Sequence, residues 1–213
     1  MRKIILYIHS TFNGVITGDP KKDKDNFNIW TTDASNESGS AYLLKIMKTV
    51  DTILLGRGTY EGLNRAWPFI ADWGPVSDTV IRLGEKVNTV QKVIVTGEHP
   101  LNKLEWGKFA APTQLTGSDI EEQIKKLKGS DGGDIIIFGS PKLVDSLANA
   151  DLIDEYQIQV HPVVVNYGEH LFDNLKNRKD FDLVNVEKLE DGGTMVVVYK
   201  PAETRTAATH HQR

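Results

Sequence analysis

Two cations stand where a helix ordinarily carries an acid. Arg57 lies in Leu54-Leu55-Gly56-Arg57-Gly58-Thr59-Tyr60-Glu61, an apolar strand pattern that runs through glycines into a helical one. Lys142 lies in Phe138-Gly139-Ser140-Pro141-Lys142-Leu143, where Ser140 suits the N-cap and Pro141 the first helical position. A helix start exposes unpaired N–H groups and a partial positive charge, so a cation there is easier to explain when an anion sits beside it. Glycine lets that anion approach the backbone, and the chemistry indicated is phosphate binding. From spacing alone, a solvated arginine on an ordinary turn accounts for Arg57 equally well. Neither segment is a GxGxxG fingerprint or a Walker loop. Together they say more than either alone, because two strand-glycine-helix junctions on a mainly parallel sheet open towards one edge, where open α/β sheets bind nucleotides.

A third segment, Ser10-Thr11-Phe12-Asn13-Gly14-Val15-Ile16, follows the first apolar run and could lie across a substrate, with Ser10, Asn13 and Gly14 facing it; its plainer reading is a connecting turn. Trp30, Tyr60, Trp67, Phe69 and Trp73 could line a pocket for a flat heterocycle, although core or interface packing is the commoner fate of such residues. Other constellations fail: the chain has no HExxH, no GxSxG and no Cys/His pair, and no metal site is expected. Asp154 and Glu155 are neighbours on an apparent strand and point to opposite faces. His161, beside Pro162, could titrate near a ligand, although a lone histidine at a strand end is more often structural, and no residue stands out as the catalytic acid.

The elements that must position these residues are legible in outline. Thr52 to Leu55, Val93 to Thr96 and Ile135 to Phe138 are short apolar runs, each stopping at a glycine (Gly56, Gly97, Gly139), and Ile4 to Ile8 is a further buried strand. Tyr42, Leu43, Ile46, Met47 and Val50 mark one helix face, and Ile120, Ile124 and Leu127 another. Helix before strand, repeated, predicts a largely parallel sheet. The last third changes character. Gln157, Gln159 and His161 alternate with Tyr156, Ile158 and Val160, and Phe181–Leu189 and Thr194–Tyr199 flank a hairpin signal at Asp191-Gly192-Gly193.

The 213 residues suit one domain over residues 1–201, with a frayed tail over 202–213. The absence of cysteine excludes disulfides, thiolate metal sites and a cysteine nucleophile, and suits the cytoplasm. The basic start precedes too short an apolar run for a signal peptide, and no membrane partner is expected. A net charge of −4 with no basic stripe disfavours nucleic acid.

These segments, together with Leu152-Ile153-Asp154-Glu155-Tyr156-Gln157-Ile158-Gln159-Val160-His161-Pro162 and Leu171-Phe172, resemble in order the dihydrofolate-reductase-like family that includes the carboxyl-terminal reductase domain of riboflavin biosynthesis. The resemblance spans nearly all of Lys3 to Lys200. It implies a dihydrofolate reductase-like three-layer α/β fold: a central, mostly parallel sheet with an antiparallel carboxyl-terminal hairpin and helices on both faces. It also implies NADPH as hydride donor to a small heterocyclic or carbonyl substrate. On that resemblance Gly56, Arg57 and Thr59 hold the cofactor's phosphates, with Arg57 selecting NADPH over NADH. Thr96 and Gly97 lie near the adenosine, and Phe138, Gly139, Ser140, Lys142 and Leu143 belong to the pyrophosphate turn. Ser10, Asn13, Gly14, Trp30, Tyr60 and Trp67 are then the substrate side. The family often pairs, and Trp67-Pro68-Phe69-Ile70 is too apolar for a water-exposed loop, so a homodimer is expected. The chain departs from the family at Asn13, where an amide replaces the usual acid, and at Asn166, where glycine is usual. A nucleotide-binding module without turnover would use the same phosphate turns.

Overall fold

The computed structural model describes residues 1–17, 37–190 and 193–203. An eight-stranded sheet runs through the centre in the order β5-β4-β3-β6-β1-β7-β10-β9. These strands are β1 (Ile4–Thr11), β3 (Val50–Gly56), β4 (Gln91–Gly97), β5 (Thr113–Thr116), β6 (Asp134–Phe138), β7 (Glu155–His161), β9 (Phe181–Lys188) and β10 (Met195–Pro201). From β5 to β7 the neighbours are parallel, and β10 runs antiparallel to both β7 and β9. β2 (Val15–Thr17) pairs with β8 (Glu169–His170) in a separate two-stranded ribbon.

The central strands are apolar on both faces because helices cover both. Ile4, Leu6 and Ile8 of β1 pack with Leu143, Val144 and Leu147 of α5 (Pro141–Asn149) and Ile124 of α4 (Ile120–Gly129). Tyr7 of β1 and Ile53 and Leu55 of β3 face the other way. They meet α1 (Glu37–Ile46) through Tyr42 and Leu43, α2 (Arg57–Asn64) through Tyr60, and α3 (Asp78–Thr89) through Leu83 and Val87. This is the expected three-layer architecture. The short strands β2, β5 and β8 carry too little apolar sequence to announce themselves, and α3 is marked by its cap, Ser77, whose hydroxyl accepts from Val80 N at 3.3 Å.

Trp67-Pro68-Phe69-Ile70, too apolar for a water-exposed loop, lies in a 3-10 helix (Trp67–Asp72) that buries Pro68 and Ile70 within the chain and leaves Trp67 partly buried. Asn88 Nδ2 donates to the Trp67 carbonyl at 2.9 Å, which ties this turn to α3.

The two sheet edges differ in chemistry. At the amino edge, buried cations are used up inside the fold: Arg2 reaches Asp51, Thr52 and the Gly133 carbonyl, Lys128 reaches Asp154 and the Leu152 carbonyl, and Lys92 donates to the carbonyls of Asn88 and Val90. Burial lowers the Lys92 ammonium to about 8.

Candidate functional site

The site forms where two adjacent strands send their helices to opposite faces. β3 and β6 are hydrogen-bonded neighbours, yet β3 leads into α2 on one side of the sheet and β6 into α5 on the other. The chain thus parts at Gly56 and Gly139, which is how a ligand crevice arises in an open α/β sheet.

The parted turns touch each other. Gly56 has ordinary extended backbone, φ −73° and ψ 160°, so its need for glycine is one of space: a Cβ there would lie 2.6 Å from Ser140 Cβ and closer still to its hydroxyl. Across the crevice Gly139 takes φ +63°, and Ser140 follows at φ 70°, a conformation costly for an L side chain. Ser140 is the N-cap of α5 as the sequence predicts, with Pro141 next, but its hydroxyl makes no capping bond. Gly58 and Gly139 both face open space, with no atom within 4 Å of a built Cβ.

The electrostatics of the helix starts separate these two helices from the rest. α1 begins with Glu37, α3 with Asp78 beneath its Ser77 cap, and α4 with Glu121 and Glu122. α2 and α5 have no acid in the first turn and no side-chain cap, and carry Arg57 and Lys142 there instead. Their first-turn N–H groups therefore lack the usual anionic complement. Arg57 is exposed, its Nε 2.9 Å from Glu61 Oε1 one turn on, an ion pair worth little at that exposure. Lys142 is exposed, with no ion pair among the described residues.

The other predicted residues scatter. Thr59 is half-buried in the first turn of α2, and Leu143 is buried in the α4–α5 layer. Gly97 lies one strand further out than Gly56, at φ +58° and facing open space, while the Thr96 hydroxyl is engaged with the Leu115 carbonyl at 3.2 Å. Phe138 sits beside Tyr7, ring centroids 6.4 Å apart, packed against the core. Trp30 lies outside the described residues. Tyr60 is a core residue: it is stacked on Trp106, and its hydroxyl bonds the Glu105 backbone, accepting from N at 3.1 Å and donating to O at 3.0 Å. Asn13 is a strut, its amide spanning to Val165 O at 2.7 Å and Val165 N at 3.3 Å. Gly14 permits that turn at φ +86°, and Ser10 is buried with its hydroxyl on the Thr11 carbonyl.

His9, which the sequence reading passed over, meets His161, which it weighed as structural. His9 Nδ1 lies 2.8 Å from His161 Nε2, with the rings stacked at 5.1 Å. Behind them, Tyr7 donates to Gln159 Oε1 and Tyr42 donates to Gln157 Oε1, the latter at 2.9 Å. The signal was present: Tyr7, His9 and Thr11 have the same spacing as Gln157, Gln159 and His161, and stand opposite them once β1 and β7 are paired. Burial, and for His9 also the neighbouring imidazole, lowers both rings, His9 to about 3 and His161 to about 4, so the pair is neutral near pH 7.

That shift has a stability consequence. Between pH 6.5 and about 4 the unfolded His161 binds a proton that the folded one refuses, so stability present above pH 6.5 is lost as the pH falls through this window. Urea unfolding at pH 7 and 4.5 should show a loss approaching about 1.4 kcal/mol per pH unit for this residue. His161→Gln should flatten the dependence; an unchanged slope would contradict the assignment.

Comparison with known proteins agrees with this geometry. The model of the RibD C-terminal domain matches residues 2–195. YyaP, an uncharacterized protein of Bacillus subtilis (strain 168), is 26% identical over 198 residues, which cover 93% of this chain and 95% of that protein. A Shewanella sp. PV-4 structure whose name places it in riboflavin biosynthesis superposes with a TM-score of 0.64 at 16% identity, covering 94% of this chain and 99% of that one. Dihydrofolate reductase from Enterococcus faecalis, complexed with NADP(H) and RAB-propyl, superposes with a TM-score of 0.55 at 14% identity, covering 94% of this chain and 97% of that one. The fold is that of dihydrofolate reductase. Among the described residues no helix is long and apolar enough to cross a membrane.

Proposed function

This chain belongs to the RibD C-terminal domain family, and from that premise we propose that it is an NADPH-dependent reductase of a small heterocyclic C=N or C=O bond. The carrying observation is the pair of uncapped, acid-free helix starts with Arg57 and Lys142 at the Gly56–Ser140 crevice. The donor set fits a dinucleotide pyrophosphate: backbone N–H groups, two cations and glycines with open space before them. Thr59 would add a hydroxyl, and Gly97 would leave room for the adenosine side. When bound, the dihydronicotinamide supplies the hydride. The protein's own part is to hold the phosphates, to orient the ring over Phe138 and to carry a hydrogen-bonding wall beside it.

NADPH absorbance followed against pterins, aminopyrimidines and small carbonyls tests this reading, with oxidation expected for at least one class. Tight NADPH binding with no oxidation by any of them would instead favour a nucleotide-binding module without turnover. We also retain the homodimer, and the cytoplasm as its compartment. With Pro68 and Ile70 buried, the exposed apolar side chains open to a dimer contact include Phe12, Phe69, Trp73, Val164 and those of the edge strand β9, Leu183, Val184 and Val186. A solution mass of one 23.8 kDa chain at micromolar concentration would remove the dimer.

A further inference from the structure

A solvent-open cavity of about 610 Å³ lies on the outer face of α5, between the start of α4 and the turn that follows β8. That size falls among small-molecule sites. α5 turns Leu143, Val144, Leu147 and Ala148 into the core, and on its other side Lys142, Asp145, Ser146 and Asn149 recur at helical spacing. A merely solvated face would expose its acid, yet Asp145 is only 5% exposed. The turn after β8 covers it. Asn174 Nδ2 donates to Asp145 Oδ2 at 2.8 Å, Asn149 Nδ2 donates to the Asn174 carbonyl at 3.1 Å, and Lys176 N donates to Asn149 Oδ1 at 2.9 Å. These bonds build one wall of the cavity, and Asp145 forms its floor. Asp145 Oδ1, by contrast, has no partner among the described residues. A buried carboxylate oxygen without a donor is costly, so this position calls for a donor from outside the chain.

Above that floor stand Lys142 and Lys176, both exposed and without an ion pair among the described residues, whereas Glu121 at the rim is already held by Lys125 at 2.7 Å. The groups left to a ligand are thus one buried carboxylate and two ammonium groups. We propose that this cavity binds an amino-dicarboxylic acid of the glutamate or aspartate class, with its ammonium on Asp145 Oδ1 and its two carboxylates on Lys142 and Lys176. The charges decide between ligand classes. A plain dicarboxylate would leave Asp145 Oδ1 without a donor and set a further anion beside it, and a diamine would face two lysines. A neutral polyol would leave both lysines without a counter-ion. A metal ion is disfavoured as well, since no group of three His, Asp or Glu able to hold one is found among the described residues. The ammonium contact at the floor is charge-assisted and poorly hydrated, so it dominates affinity, while the lysines at the rim act through water-screened charge. The site does not depend on the reductase reading. Lys142, which follows the Gly139–Ser140 turn, is the one group common to this cavity and the crevice.

The test uses the full ¹⁵N-labelled chain, free of nucleotide, with L-glutamate as the probe and glutarate and 4-aminobutyrate as comparisons. L-Glutamate should move the Ser146, Asn149, Asn174 and Lys176 amides saturably. Glutarate, which lacks the ammonium, should bind about tenfold more weakly, the order of one charge-assisted hydrogen bond. 4-Aminobutyrate, with a single carboxylate, should bind about threefold more weakly, as befits an exposed ion pair. Asp145→Asn keeps an acceptor for Asn174 but removes the charge, and should erase the preference for glutamate over glutarate. Lys176→Gln, at an exposed position, should weaken glutamate about threefold with the fold intact, and it carries the test should Asp145→Asn not fold. Equal binding of glutamate and glutarate by the wild type, shifts confined to the Gly56 and Gly139 amides, or no saturable response would each overturn the proposal. Unchanged glutamate binding by Lys176→Gln would overturn its placement in this cavity. None of these results bears on the cofactor crevice, which NADPH titration tests separately.

Discussion

Gly56→Ala is expected to close the crevice from within. The backbone at Gly56 suits any residue, so the whole effect comes from the new Cβ, which would stand 2.6 Å from Ser140 Cβ. Ser140 cannot simply yield, because it opens α5 at φ 70° with Gly139 before it and Pro141 after it. Overpacking of this kind costs about 1–3 kcal/mol, and the movement that relieves it displaces the turn meant to hold the pyrophosphate. NADPH binding should therefore fall more than stability does. Ser140→Gly removes the obstructing atoms and relieves the positive φ, so the double variant Gly56→Ala/Ser140→Gly should recover most of both losses, with a coupling of about 1–3 kcal/mol between the sites. Gly58→Ala serves as control for stability, since its Cβ meets nothing within 4 Å. Additive losses in the double variant would show that the two turns do not share one packing site. Denaturant unfolding and NADPH titration of wild type, the two single variants and the double variant measure both quantities, with Gly58→Ala entering the unfolding series alone.

Arg57→Ala should separate the two nicotinamide nucleotides. Paired with the 2′-phosphate, Arg57 contributes a charge-assisted hydrogen bond, and its loss should weaken NADPH by about 1–3 kcal/mol while leaving NADH nearly unchanged. In the free protein its Nε faces Glu61 at 2.9 Å, an exposed pair that the phosphate must displace. Glu61→Gln should thus shift selectivity the opposite way, towards NADPH. Equal losses for both nucleotides on Arg57→Ala would move the side chain to the shared pyrophosphate, and no loss for either would remove this turn from the site.

The parallel core was legible because its strands are covered on both faces: Ile53–Leu55, Val93–Val95 and Ile135–Ile137 are continuous apolar runs, a pattern set by burial. The two turns proposed to hold phosphate were legible for a related reason, since a glycine at a strand end and a cation at a helix start are both local departures from ordinary propensity. What the sequence could not reveal was contact between distant segments. His9 and His161 are 152 residues apart in the chain and become a pair only through the β1–β7 register. Tyr60 and Asn13 look like site residues by type, but tertiary partners, the Glu105 backbone and the Val165 backbone, claim their polar atoms. The need for glycine at position 56 is of the same kind, because the atoms that demand it belong to Ser140.

The most direct test of the account is the titration of NADPH into the wild-type chain, followed by cofactor fluorescence. It predicts saturable binding, tighter than that of NADH, and displaced by NADP⁺. Binding of both nucleotides with equal strength would contradict the role given to Arg57, and absence of saturable NADPH binding would contradict the cofactor crevice between Gly56 and Ser140.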